Sequence, residues 1–163
     1  GLLLTSIYPL LKNHSMDSSL LHVILADDDE SDRTNFTEAL EESRIKTEVY
    51  AVKDGVELME FLTREDTPVP HILFLDLNMP MKNGLTCLKE IRSIEKLKDV
   101  AVAIYSTSSY EKDIEETFHY GANVYIKKPT DFDTLKKVLH KVLSAAYVYR
   151  EPPFSIENFL LKL

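Results

Sequence analysis

Ile72-Leu73-Phe74-Leu75-Asp76 is the stretch that decides the fold of this 163-residue chain. Four consecutive apolar residues are typical of a strand that is buried on both faces. Pro80 and Gly84 follow and break the regular structure. Asp76 therefore stands where the strand ends, and in open α/β sheets the functional crevice lies beyond the carboxyl ends of the strands.

Apolar runs and helical periodicities alternate on either side of this stretch. The sequence predicts strands at residues 21–26, 48–52, 72–75, 100–105 and 124–126. It predicts helices at residues 31–43, 109–120 and 132–146. Two more helices are predicted, one marked by Val56, Met59 and Leu62 that stops before Pro68, and one that contains Leu88 and Ile91. Five β-α alternations within about 125 residues indicate an α/β fold, with a parallel sheet covered by helices on both faces.

Composition limits the class of protein. The length suits one compact domain, and 44% hydrophobic with 28% charged residues argue against disorder. A net charge of −8 is not the basic footprint of a nucleic-acid binder. No window reaches the roughly 20 apolar residues that span a bilayer. Cys87 is the only cysteine, so we expect a soluble, cytoplasmic protein in which this residue packs in the core.

The two ends of the chain are separate from the predicted domain at 20–146. Residues 1–19 lack a basic n-region and carry Met16 within a polar stretch, so we interpret them as an N-terminal extension or a non-native remnant. Residues 147–163 form an apolar tail after Pro152-Pro153. This tail is too short for a DNA-binding output domain, and we expect a dimer contact, a partner contact or packing against its own domain.

Charged and hydroxyl side chains follow four of the predicted strands. Asp27-Asp28-Asp29 ends the first strand, Asp76 the third, Ser106-Thr107 the fourth and Lys127-Lys128-Pro129 the fifth. In a parallel sheet these groups converge on one edge. Clustered carboxylates need a cation, and oxygen ligands suit Mg²⁺ or Mn²⁺. Because a carboxylate can act as a nucleophile towards phosphorus, the set indicates phosphoryl chemistry on an aspartate.

The same blocks, in this order and spacing, resemble the receiver domain of two-component response regulators. The motifs that carry the resemblance are Ile24-Leu25-Ala26-Asp27-Asp28, Leu73-Phe74-Leu75-Asp76-Leu77-Asn78-Met79-Pro80 with Asn83-Gly84, Ser106, Gly121-Ala122-Asn123 with Tyr125, and Lys127-Lys128-Pro129. The resemblance covers roughly residues 20–146. It implies a flavodoxin-like sheet of five parallel strands in the order 2-1-3-4-5, flanked by five helices.

The resemblance also implies a role for each acidic residue. Asp76 would be the phosphoacceptor. Asp28 and Asp76 would be direct Mg²⁺ ligands together with the backbone carbonyl of Asn78, and Asp27 would act through water. Asp28 or Asp29 could instead simply cap the following helix.

Four further residues would complete the phosphoryl site. Lys128 would pair with the phosphoryl group, and the Lys128-Pro129 peptide bond would be cis. Ser106 and Tyr125 would be the switch pair, in which the hydroxyl turns towards the phosphoryl group and the ring follows. The family usually has alanine after the residue with the switch hydroxyl, so the larger Thr107 would narrow the entrance for the phosphoryl group.

This resemblance implies a stand-alone response regulator rather than an enzyme. A histidine kinase or phosphotransfer protein would supply the phosphoryl group. The output would be a protein–protein contact or a homodimer, with neither nucleic acid nor membrane as a partner. The signalling face would combine the fourth helix, fifth strand and fifth helix, where few apolar residues besides Ile114 surround Tyr110 and Phe118. The tail resembles the extensions of phytochrome-associated regulators.

Two alternatives remain open from the residues. A phosphohydrolase of the haloacid dehalogenase type also uses a strand-end aspartate with Mg²⁺, but it needs a second aspartate where this chain has Asn78. A receiver that only scaffolds would never be phosphorylated. None of the five histidines shows ligand spacing, so none is given a role.

Overall fold

The structure is a computed structural model that describes residues 20–145 and 155–163. The predictions for residues 1–19 and for 146–154, including Ala146 and Pro152-Pro153, lie outside these ranges. The strands are β1 (Leu21–Ala26), β2 (Thr47–Val52), β3 (Ile72–Leu75), β4 (Ala101–Ser106) and β5 (Val124–Lys127). The helices are α1 (Glu30–Glu41), α2 (Gly55–Thr63), α3 (Gly84–Ser93), α4 (Glu111–His119), α5 (Phe132–Ser144) and the short α6 (Ile156–Phe159).

All five strands form one parallel sheet in the order β2-β1-β3-β4-β5. This confirms the predicted flavodoxin-like α/β fold. Ala26 at the end of β1 lies opposite Leu75 at the end of β3. The N–H of Asp76 donates to the carbonyl of Ala26 at 3.0 Å. The register therefore brings the aspartates that follow these two strands to the same edge.

Two hydrophobic cores lie on opposite faces of the sheet, because successive strand residues point to opposite sides. Leu73 and Leu75 pack beneath α2, α3 and α4. Phe74 packs beneath α1 and α5 on the other face, where its ring meets that of Phe36 edge-to-face at 4.9 Å. Cys87 is fully buried in the first core, as predicted. No helix among the described residues is both long and apolar enough to cross a membrane.

Side-chain caps set the start of four helices. Asp29, Asp54, Asn83 and Asp131 each accept the N–H of the residue three positions later. Such caps satisfy backbone donors that the first helical turn leaves free. Because Asp29 caps α1, its neighbour Asp28 is left at the strand end without this structural task.

Helix α4 is poor in apolar residues, as predicted. Thr117 is buried on it, and Ile114 and Phe118 are partly buried against the first core. Phe159, from the tail, is fully buried and its ring lies 5.5 Å from that of Phe118. Residues 155–163 therefore pack against the domain next to α4.

Arg92 forms a group of hydrogen bonds at the amino ends of the strands, opposite to the aspartates. Its guanidinium donates to the carbonyls of Gly121 at 2.9 and 3.0 Å, Val100 at 2.7 Å and Lys98 at 3.0 Å. It also donates to the side-chain oxygen of Asn123 at 2.9 Å. These partners precede β4 and β5, so one side chain ties the end of α3 to the starts of two strands.

Candidate functional site

Three carboxylates meet at the carboxyl edge of the sheet. Oxygen atoms of Asp27, Asp28 and Asp76 all lie within 4.8 Å of one another. Asp27 and Asp76 are buried, whereas Asp28 is exposed. The N–H of Asp29 donates to Asp27 at 3.0 Å, and that of Asn78 donates to Asp76 at 3.3 Å. We call these three carboxylates the acid cluster; it opens to solvent on the side of Asp28.

Lys128 places its ammonium group against the acid cluster. The Nζ atom lies 2.8 Å from Oδ2 of Asp27, 2.9 Å from Oδ2 of Asp32 and 3.2 Å from Oδ2 of Asp76. The backbone N–H of Lys128 donates to the carbonyl of Ser106 at 2.8 Å. Because Lys128 directly follows β5, its long side chain extends across the ends of β4 and β3 and reaches Asp27, which follows β1.

Burial and charge set the ionisation of the acid cluster. Burial raises the pKa of Asp76 to about 6, with Lys128 opposing the rise and Asp27 adding to it. Burial likewise raises the pKa of Asp27. Burial alone would lower the pKa of Lys128, but its bonds to Asp27 and Asp32 raise that pKa above the ordinary value. The single ammonium group of Lys128 therefore does not neutralise all of the carboxylates. A group of oxygen donors with uncompensated negative charge fits a hard divalent cation such as Mg²⁺.

Asp76→Asn is expected to stabilise the metal-free protein at pH 8 by about 1–2 kcal/mol. The pKa of Asp76 is higher in the folded chain than its ordinary value of 3.8. Its contribution to stability is therefore fully present below about pH 4 and is lost as the pH rises through about 6. Urea unfolding of both proteins in EDTA, at pH 4 and pH 8, measures the difference.

The exposed Asp66→Asn provides the control, since it makes the same substitution away from the acid cluster. It should show no such pH-dependent gain. A gain from Asp76→Asn that is equal at pH 4 and pH 8 would contradict the assignment of the buried charge to Asp76.

Ser106 and Tyr125, the predicted switch pair, are connected through Ser108. Ser106 and Tyr125 are both buried. The hydroxyl of Tyr125 donates to the carbonyl of Ser108 at 2.8 Å, and the N–H of Ser108 donates to Oγ of Ser106 at 3.1 Å. Thr107 lies between Ser106 and Ser108 and is exposed. The loop after β4 is therefore held by both predicted residues.

The prediction that the peptide bond between Lys128 and Pro129 is cis is wrong for this structure. The described residues contain no cis peptide bond. The trans isomer is favoured before proline by about 0.5–1 kcal/mol. With this bond trans, Lys128 still reaches all three of its carboxylate partners.

Gly84 shapes the loop that carries Asp76 into α3. Its N–H donates to the carbonyl of Leu77 at 2.9 Å. A Cβ atom on Gly84 would lie 2.2 Å from the carbonyl oxygen of Asp76. The close approach of helix and strand end therefore requires glycine here.

Asp32 and Arg33 are site residues that sequence reasoning missed. Asp32 binds Lys128, and Nη1 of Arg33 donates to the backbone carbonyl of Asp27 at 2.8 Å. The available signal was spacing: Asp32 comes four residues after Asp28, in the first turn of the helix that follows the strand end. This signal is weak, because an acidic residue in a first helical turn has an ordinary explanation in the helix dipole.

Comparison with known proteins identifies the family. The family model of the response regulator receiver domain matches residues 23–140. The chain therefore belongs to the response regulator receiver family, which is a family of signalling phosphoacceptors and not of phosphohydrolases.

Individual relatives agree in sequence and in structure. Response regulator Rcp1 of Synechocystis sp. is 31% identical over 126 residues, which cover 75% of this chain and 86% of Rcp1. The crystal structure of the Mn²⁺-bound form of Rcp1 has a TM-score of 0.70 at 30% identity and covers 76% of this chain and 92% of that one. The phosphorylated cyanobacterial phytochrome response regulator RcpA has a TM-score of 0.72 at 31% identity and covers 78% and 94%.

Proposed function

We propose that this protein is a stand-alone response regulator that accepts a phosphoryl group on Asp76. The observation that carries the proposal is the position of Lys128, whose ammonium contacts both Asp76 and Asp27 beside the exposed Asp28. This arrangement places a fixed positive charge next to the carboxylate that would gain the phosphoryl group. The phosphorylated state of RcpA supports the same chemistry in a relative.

A divalent cation completes the proposed site. Asp28 and Asp76 would bind Mg²⁺ or Mn²⁺ directly, with the backbone carbonyl of Asn78, and Asp27 would act through water. The distances within the acid cluster and the Mn²⁺-bound form of Rcp1 support this assignment. The bound cation would neutralise negative charge on the phosphoryl oxygens.

The residues of the chain divide the phosphoryl transfer among them. A carboxylate oxygen of Asp76 attacks phosphorus in the donor phosphohistidine, so that a P–O bond forms as the P–N bond breaks. Lys128 donates to a phosphoryl oxygen, and the Ser106 hydroxyl turns towards another while Tyr125 follows. Thr107 narrows the entrance and tunes the rates of transfer and hydrolysis.

The proposed donor is a histidine kinase or phosphotransfer protein. RcpA is a phytochrome response regulator, which supports a kinase of the phytochrome class as the donor. The receiver domain at 20–146 would act in the cytoplasm, which fits the buried free thiol of Cys87. Its output would pass through protein–protein contacts at the face formed by α4, β5 and α5. Phosphorylation would shift a conformational equilibrium that already exists at this face.

Asp76→Asn tests the proposal. With Mg²⁺ and acetyl phosphate, the wild type is expected to gain the mass of one phosphoryl group, and Asp76→Asn is expected to gain none. The exposed Asp66→Asn should be phosphorylated like the wild type, and EDTA should abolish the reaction in both. A phosphoprotein that persists in Asp76→Asn would refute the assignment. A wild type that binds no Mg²⁺ and takes no phosphoryl group would instead be a scaffold.

A further inference from the structure

Residues 155–163 lie along the free edge of the sheet at β5. Phe159 is fully buried, and its ring lies 5.5 Å from that of Phe118 and 5.9 Å from that of Tyr125. The N–H of Leu161 donates to the carbonyl of Tyr125 at 2.9 Å. The segment thus holds the strand through an aromatic contact and a main-chain hydrogen bond.

The same segment crosses from one flanking helix to the other. Phe159 contacts α4 through Phe118, and the ammonium of Lys141 on α5 donates to the carbonyl of Lys162. Leu160 adds a parallel β-bridge to β5 between these contacts. An uncovered edge strand is a template for pairing with another chain. Here the chain's own tail occupies that template across the face formed by α4, β5 and α5.

Tyr125 connects the tail to the loop that borders the acid cluster. Its backbone carbonyl holds Leu161, and its hydroxyl holds the carbonyl of Ser108. Ser108 is bonded in turn to the side chain of Ser106, whose own carbonyl accepts the N–H of Lys128. A displacement of the Ser106 loop therefore reaches the tail through one residue, Tyr125.

We propose that residues 155–163 are a cover, bound in cis, on the face formed by α4, β5 and α5, and that its docking is coupled through Tyr125 to the state of the acid cluster. A downstream partner at this face must displace the cover. The partner that fits is an extended segment with an aromatic anchor, which would replace Phe159 and pair with the edge of β5. Coupling of this kind is reciprocal, so the acid cluster and the tail influence each other equally. The link to phosphorylation rests on the proposed function, whereas the docking does not.

Hydrogen exchange of the full chain tests the cover without any phosphoryl group. Phe159→Ala is expected to speed exchange at least tenfold across residues 157–163 and about threefold in the loop at 106–110. The exposed neighbour Asn158→Ala should leave both regions within twofold of the wild type. Equal tail exchange in wild type and Phe159→Ala would overturn the cover. A faster tail with an unchanged loop would overturn the coupling.

Beryllofluoride with Mg²⁺, a mimic of the phosphoryl group, tests the direction of the coupling. The Ser106 hydroxyl would move towards the mimic and leave more room for the ring of Tyr125. We expect Tyr125, which contacts the tail, to hold it more firmly in this state, so that residues 157–163 of the wild type exchange at least threefold more slowly. Unchanged tail exchange at saturating mimic would overturn the coupling. Tail exchange that depends on protein concentration would place the tail on a second copy and overturn the cis assignment. Absence of any phosphoprotein with acetyl phosphate would refute the proposed function alone, because the Phe159→Ala comparison decides the cover independently.

Discussion

Lys128→Met is expected to destabilise the metal-free protein by about 3 kcal/mol and to prevent stable phosphorylation of Asp76. The ammonium of Lys128 lies within 3.2 Å of three carboxylates, two of which are buried. Removal of one partner from a buried ion pair costs more than the pair contributes, because charge remains without compensation. Urea unfolding in EDTA measures the loss of stability, and acetyl phosphate labelling measures the loss of phosphoprotein.

Two controls separate this effect from a general loss of positive charge. Lys127→Met removes the exposed neighbouring lysine and should change stability by less than about 0.5 kcal/mol. Saturating Mg²⁺ should restore much of the stability lost in Lys128→Met, because a divalent cation supplies charge to the same carboxylates. If Lys128→Met unfolds at the same urea concentration as Lys127→Met in EDTA, the ammonium does not hold the acid cluster together.

Gly84→Ala is expected to destabilise the protein by about 3 kcal/mol or more and to slow phosphorylation at least tenfold. The new Cβ atom would meet the carbonyl oxygen of Asp76 at 2.2 Å and the Cα atom of Leu77 at 2.8 Å. Both neighbours are backbone atoms at the end of β3 and cannot rotate away. The loop must therefore move, and the carboxylate of Asp76 moves with it. Thermal unfolding and the initial rate of labelling by acetyl phosphate measure the two effects.

Thr86→Ala is the matched control for this substitution. It introduces alanine in the same first turn of α3 at an exposed position. It also preserves the cap, since Asn83 accepts the backbone N–H of Thr86. Thr86→Ala should phosphorylate at the wild-type rate. Wild-type stability and labelling in Gly84→Ala would show that the loop yields without disturbing Asp76.

The order of the strands' apolar runs made the fold predictable. Runs such as Ile72–Leu75 are apolar on both faces, and only a sheet covered on both sides buries them. Helix ends were less accessible, because caps rather than periodicity set them. Helix α1, for example, starts at Glu30 because the side chain of Asp29 satisfies the first turn, one residue before the predicted start.

The acid cluster was partly predictable for a geometric reason. Parallel strands end at one edge, so Asp27, Asp28, Asp76 and Lys128 had to approach one another. Contacts that depend on side-chain rotamers could not be inferred in this way. The bond from Asp32 to Lys128 is one of them. Another is the placement of Phe159, because a tail has no strand register to fix its position.

The hydrogen bonds of Arg92 all lie at the end of the sheet opposite to the acid cluster. Its guanidinium fixes the starts of β4 and β5 through the carbonyls of Val100 and Gly121. Their far ends, at Ser106 and Lys127, lead into the loops beside the acid cluster. None of the hydrogen bonds that Arg92 makes within the described residues involves the loops at Ser106 and Lys127, so a rearrangement of these loops need not break any of them. The contacts that anchor β4 and β5 and the reactive residues that follow them thus lie at opposite ends of the same two strands.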